Sequence, residues 1–96
     1  MPAKRLAKSV AAQFGVELRK ARGAAGLTQQ VLAERAEVDP VFVSLLENGH
    51  RQPSLTVLLN LERELGLAAG ELVQRVALAL RDSSAKPRSK LAGQCD

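Results

Sequence analysis

Gln29-Gln30-Val31-Leu32-Ala33-Glu34-Arg35-Ala36, then Glu37-Val38-Asp39, then Pro40-Val41-Phe42-Val43-Ser44-Leu45-Leu46-Glu47-Asn48-Gly49 read as two short amphipathic helices joined by a turn of three residues. The first run has apolar residues at helical spacing, with Val31, Leu32 and Ala36 on one face. Thr28 precedes it as an N-cap whose hydroxyl can accept an orphan N–H. Val38 turns toward the core. Asp39 caps a second helix, and Pro40 stands at its first position, where a missing N–H costs nothing. Val43 and Leu46, three apart, face inward. Gly49 closes the helix in a left-handed conformation. Two short helices that cross steeply must bring their backbones close, and Ala33 supplies the small side chain at the crossing.

Outward from this pair the chain reads as helices throughout. A first helix is predicted from about Lys8 to Gly23, its core face formed by Val10, Phe14, Val16-Glu17-Leu18 and Ala21. Ala24-Ala25-Gly26 is a turn. After the loop Gly49-His50-Arg51-Gln52-Pro53, Ser54 caps a fourth helix through Leu65. There Leu55, Leu58, Leu59, Leu61, Glu62 and Leu65 divide between core and solvent, and Gly66 ends the helix. A fifth helix is predicted from about Ala69 to Arg81, with Leu72, Val73, Val76, Ala77 and Leu80 in one stripe and Leu78 off it. The expected organisation is a basic arm at 1–7, an all-α five-helix domain at 8–81, and a disordered polar tail at 82–96 that holds Ser83-Ser84-Ala85-Lys86-Pro87. No internal repeat is visible.

Composition narrows the class. The 96 residues make one small domain with two Phe, no Tyr and no Trp, so its core must be Leu, Val and Ala. No alternating β-branched run predicts a strand, and no apolar stretch approaches the roughly 20 residues that span a bilayer. The basic N-terminus lacks an apolar signal core, so the simplest localisation is cytoplasmic. The single Cys95 excludes an internal disulfide and a cysteine-based zinc site. Residues 1–22 carry Lys4, Arg5, Lys8, Arg19, Lys20 and Arg22 against Glu17 alone, and Lys86, Arg88 and Lys90 lie in the tail. Such clusters are either solvated faces or phosphate-attracting surfaces.

Helices two and three form a helix-turn-helix, whose second member can lie in a DNA major groove. From about Val16 to Val73 the chain resembles the Cro and phage-repressor family, also called the XRE type. The matching pieces are Leu18-Arg19, Arg22, Gly26-Leu27-Thr28-Gln29, Leu32-Ala33, Val43-Ser44-Leu45-Leu46-Glu47-Asn48-Gly49, Arg51-Gln52-Pro53-Ser54, Leu58, Leu61, Leu65 and Gly66-Leu67. The short length and the Asp39–Ser44 segment look most like stand-alone regulators such as restriction-modification controller proteins. The resemblance implies a lambda-repressor-like DNA-binding domain and a transcriptional regulator acting at a double-stranded operator.

On the family's pattern, the candidate DNA-contacting residues are Thr28, Gln29, Gln30, Asp39, Pro40, Val41, Phe42, Ser44, Leu45, Asn48, His50 and Arg51. Gln29 would anchor the second helix on a phosphate. Val41 would pack on a thymine methyl, and Ser44 would bond a base or a phosphate. Asn48, His50 and Arg51 would contact the backbone. Phe42 reads equally as a DNA contact or a core side chain. Glu47 is expected to pair with Arg35 or Arg22. Two departures stand out. The reading positions are apolar where the family favours Gln, Arg, Thr or Asn, so DNA shape should share the specificity. Glu37 replaces the usual turn glycine, at a cost on the order of 1 kcal/mol if it is left-handed.

The resemblance also implies a homodimer on a palindromic site, its recognition helices about 34 Å apart. The candidate interface is Leu67, Leu72, Val73, Val76 and Leu80. A second functional class stays open: a protein-interaction module, such as the antitoxin of a toxin–antitoxin pair, whose 82–96 tail folds on a partner. No catalytic constellation is evident. His50 is the only histidine, and Ser44 lacks a base, so neither an enzyme nor a metal or cofactor is expected.

Overall fold

A computed structural model describes residues 3–85 of the protein. Its helices are α1 (Ala3–Ala25), α2 (Gln29–Ala36), α3 (Pro40–Glu47), α4 (Leu55–Glu64) and α5 (Glu71–Ala85). No strand occurs among the described residues. Helix α1 packs on α3 and α5, while α2 packs on α3 and α4. The core is aliphatic, as the composition requires: Leu18, Leu32, Val43, Leu46, Leu61 and Leu72 are each fully buried.

The caps follow the sequence closely. Thr28 Oγ1 accepts from the Val31 amide at 3.1 Å, Asp39 Oδ1 from Val41 at 2.8 Å and Ser54 Oγ from Val57 at 3.2 Å. Each removes one orphan donor from a helix start. Ala33 is fully buried at the α2–α3 crossing.

Helix α1 is longer than its periodicity implied, and it begins at Ala3 rather than near Lys8. Ala3, Lys4, Arg5, Leu6 and Ala7 are strong helix formers with no breaker among them, so the stretch read as an arm is the helix's first turns. Val16, expected in the core, is 46% exposed. Its place against α3 is taken by Gly15. A Cβ there would stand 2.5 Å from the Glu47 carbonyl oxygen and 2.6 Å from that of Leu46. At the same junction Gly49 adopts φ 77°, and a Cβ on it would approach the Ala12 Cα at 3.1 Å. Two glycines thus let the C-terminal end of α3 rest on the backbone of α1.

Helix α5 starts at Glu71 and runs to Ala85, against an expected span of 69–81. Its start is set by Glu62 of α4, which is 1% exposed. The two carboxylate oxygens accept from the amides of Gly70 and Leu72, both at 2.9 Å. The helix also continues through Ser83 and Ser84, so the polar tail does not begin at Asp82. The rest of that tail, with Cys95, lies outside the described residues.

Candidate nucleic-acid interface

Helix α3 turns Val43, Leu46 and Glu47 inward and leaves the opposite face open. That face carries Val41, 65% exposed, with Ser44, Leu45 and Asn48. Asn48 Nδ2 donates to Ser44 Oγ at 3.4 Å, so the two polar members lean on each other. Pro40, His50 and Arg51 are exposed at the two ends of the helix.

Behind α3 stands a polar hub built on Glu47, whose side chain has no solvent access. Arg22 Nε donates to Oε2 at 2.6 Å and Nη2 to Oε1 at 3.0 Å, a bidentate grip. Arg19 Nε donates to Oε1 at 3.3 Å, and Gln29 Nε2 donates to the same oxygen at 2.9 Å. Arg22 Nη1 also donates to the Leu27 carbonyl at 2.9 Å, tying in the turn before α2. Burial alone would push the Glu47 carboxyl's pKa up. The hydrogen bonds from Arg22 and Gln29, the charge of Arg22 and the bond from Arg19 together outweigh it and hold the group below the ordinary glutamate value. The Arg22 guanidinium is raised in turn, chiefly by its hydrogen bond to Glu47. One carboxylate therefore locks α1, the turn, α2 and α3 into one geometry. Of the two partners expected for Glu47, Arg22 is the one found, with Arg19 added. Arg35 lies exposed elsewhere.

The other candidates fall into distinct places. Gln29, expected on a phosphate, spends one amide donor on Glu47. Gln30 is exposed beside it, and the Thr28 and Asp39 side chains are occupied as caps. An ionised Asp39 has only acceptors, so it orders α3 rather than donating to a phosphate. Phe42 is half-buried and packs against the core, with the Arg51 guanidinium 6.0 Å from its ring centroid. Glu37 takes φ 61° and ψ 44°, the left-handed conformation foreseen for the turn. Its amide and that of Val38 still bond back to α2, at 3.3 Å to Glu34 and 2.9 Å to Ala33.

The basic cluster of α1 is partly spent within the molecule. Arg19 and Arg22 serve Glu47, and Lys20 pairs with Glu17 at 3.7 Å. Lys4, Arg5 and Lys8 stay exposed with no hydrogen bond or ion pair among the described residues. Of the candidate interface residues, Leu72 is fully buried in the domain's own core, and Val76 is 6% exposed and lines an apolar groove between α1 and α5. Val73 is 50% exposed, and Leu67 and Leu80 are half-buried. Sequence reasoning missed Gly15 and the hub's full membership, because both depend on which helices meet.

A capped α3, braced from behind and bare in front, with α2 crossing it at an alanine, defines a helix-turn-helix DNA-binding regulator module. The chain belongs to the helix-turn-helix family HTH_3, which matches residues 18–72. It is similar to the restriction-modification controller protein C.AhdI from Aeromonas hydrophila, with 37% identity, a TM-score of 0.63, and 65% of this chain and 94% of that one covered. The clp gene regulator ClgR from Corynebacterium glutamicum is 27% identical over 86% of this chain and 90% of its own, with a TM-score of 0.70. A propionyl-CoA carboxylase regulator of Cereibacter sphaeroides is 36% identical in a 77-residue alignment that covers 76% of this chain and 17% of that longer protein. Among the described residues no helix is long and apolar enough to cross a membrane.

Proposed function

We propose that this protein is a sequence-specific transcriptional regulator that binds a palindromic operator as a homodimer, with α3 in the major groove. The open face of α3 carries this reading. A helix backed by Val43, Leu46 and Glu47 and bare at Val41, Ser44 and Asn48 fits a groove about 12 Å wide. Lys4, Arg5 and Lys8 supply uncommitted positive charge for phosphates.

Dimerisation is supported by apolar surface that the fold leaves uncovered. Val73, Leu78 and Leu59 are each 44–50% exposed, and α1 and α5 flank an apolar groove of about 480 Å³ lined by Leu6, Val10, Val73 and Leu80. Apolar surface of this kind marks interaction sites on small domains. Two copies would set two recognition helices about one DNA turn apart.

The test is selection of bound duplexes from a random library at two salt concentrations, with sedimentation of the free protein. A palindromic consensus and a steep salt slope are expected, together with a dimer at micromolar concentration. No enrichment at either salt overturns operator binding, and a monomer at high micromolar concentration overturns the dimer.

A further inference from the structure

We infer that Arg51, held on the ring of Phe42, reads a guanine edge at the recognition surface rather than a phosphate. The inference rests on the operator-binding reading and names the residue that carries its specificity.

Phe42 is in the first turn of α3, while Arg51 follows the helix's last residue, Glu47, in the next loop. A guanidinium 6.0 Å from that ring centroid has turned back along the flank of α3, toward its N-terminal end. Recognition helices present that end to base edges. The loop is fixed on both sides of Arg51. The His50 amide bonds to the Leu45 carbonyl at 2.9 Å, and Gln52 Nε2 donates to the Ala7 carbonyl of α1 at 3.1 Å. Phe42 itself packs against the core, so the ring is an anchored platform.

The chemistry follows from what Arg51 keeps free. It makes no hydrogen bond or ion pair among the described residues, so its fork of N–H donors is unspent. A cation 6.0 Å from the ring centroid is attracted by the ring without spending any N–H donor, so the guanidinium's edge stays open. That edge matches the O6 and N7 acceptors of guanine in a bidentate contact. The exposed face of α3 offers Val41 and Leu45, which donate nothing, and the short Ser44 and Asn48. Arg51 is the multi-donor side chain that lies beside Phe42, in the first turn of α3. Phe42 is then a positioning residue, acting through Arg51.

The experiment is duplex selection by the full 96-residue chain at two salt concentrations, with Arg51→Lys, Phe42→Leu and Phe42→Tyr beside the native protein. The native protein is expected to select a consensus with guanine at one position of each half-site. Arg51→Lys keeps the charge and so the salt slope, but loses preference at that single position by about tenfold. Phe42→Leu loses the same position, and Phe42→Tyr, which keeps the ring, retains it. If Arg51→Lys keeps the whole consensus, Arg51 is a phosphate contact and the inference falls while operator binding stands. If the native protein selects nothing, both fall together. Arg51→Lys touches no core residue, so its result holds even if Phe42→Leu fails to fold.

Discussion

Gly15 of α1 and Glu47 of α3 meet backbone to backbone: a Cβ on Gly15 would stand 2.5 Å from the Glu47 carbonyl oxygen. No rotamer relieves a clash between a Cβ and a main-chain oxygen. Gly15→Ala should therefore destabilise the protein by about 1–3 kcal/mol, despite alanine's better helix propensity. Gly23 lies in the same helix with nothing within 4 Å of its Cβ position, so Gly23→Ala should stabilise by up to about 1 kcal/mol. Thermal melts of the two variants should move in opposite directions. Melts that move together would show that α3 does not rest on Gly15.

The buried Glu47 predicts a pH dependence with a definite sign. Its folded pKa lies below the ordinary 4.5, so its contribution is complete above that value and is lost as pH falls through the folded pKa. Glu47→Gln should cost about 3 kcal/mol at neutral pH, because Arg22 is left with a weaker partner. The gap between native and variant urea midpoints should then narrow as the pH is lowered below 4.5. A gap that is the same at both ends would mean that the carboxylate charge contributes nothing to the fold.

Glu37 stands at φ 61°, where a side chain costs on the order of 1 kcal/mol. Glu37→Gly should raise the melting temperature by a few degrees, part of the relief being offset by a freer unfolded chain. Glu37→Gln removes the charge and keeps the strain. It should leave the melting temperature near the native value. A Glu37→Gly protein that melts no higher than Glu37→Gln would count against backbone strain at this turn.

Glu62 holds the start of α5 through the Gly70 and Leu72 amides. Glu62→Gln keeps one acceptor oxygen and loses the other, at a cost of about 1–3 kcal/mol. Hydrogen exchange should show the loss first at those two amides, ahead of the core of α1. Unchanged protection there would mean that α5 is held by packing alone.

Much of this architecture is local, which is why it was legible in the sequence. Caps at Thr28, Asp39 and Ser54, the small Ala33 and the closing Gly49 each report on a few neighbouring residues. The left-handed Glu37 was visible as a glycine position filled by something else. The early start of α1 was locally encoded, but the misses at Gly15, Glu62 and the α5 stripe needed tertiary knowledge. Whether Gly15 or Val16 meets α3 depends on the azimuth at which α1 docks. Glu62 becomes the cap of α5 only once α4 and α5 are juxtaposed. Leu72 and Val76 share a stripe with Val73, and periodicity alone cannot tell the part spent on the domain's own core from the part left over. At the candidate site, the spacing of Phe42 and Arg51 gave no sign that a loop residue folds back onto the helix before it.

The unbroken course of α1 makes it a lever. Its fulcrum is the contact at Gly15, and Lys4 lies eleven residues away, about 16 Å along the axis at 1.5 Å per residue. Cations borne on a tether would have to be ordered when a polyanion binds, whereas these are already fixed relative to α3. A tilt of about 5° at the fulcrum would carry Lys4 sideways by more than 1 Å, from the same helical rise. Packing at one glycine thereby tunes how far apart the basic end of the molecule and its recognition helix are held.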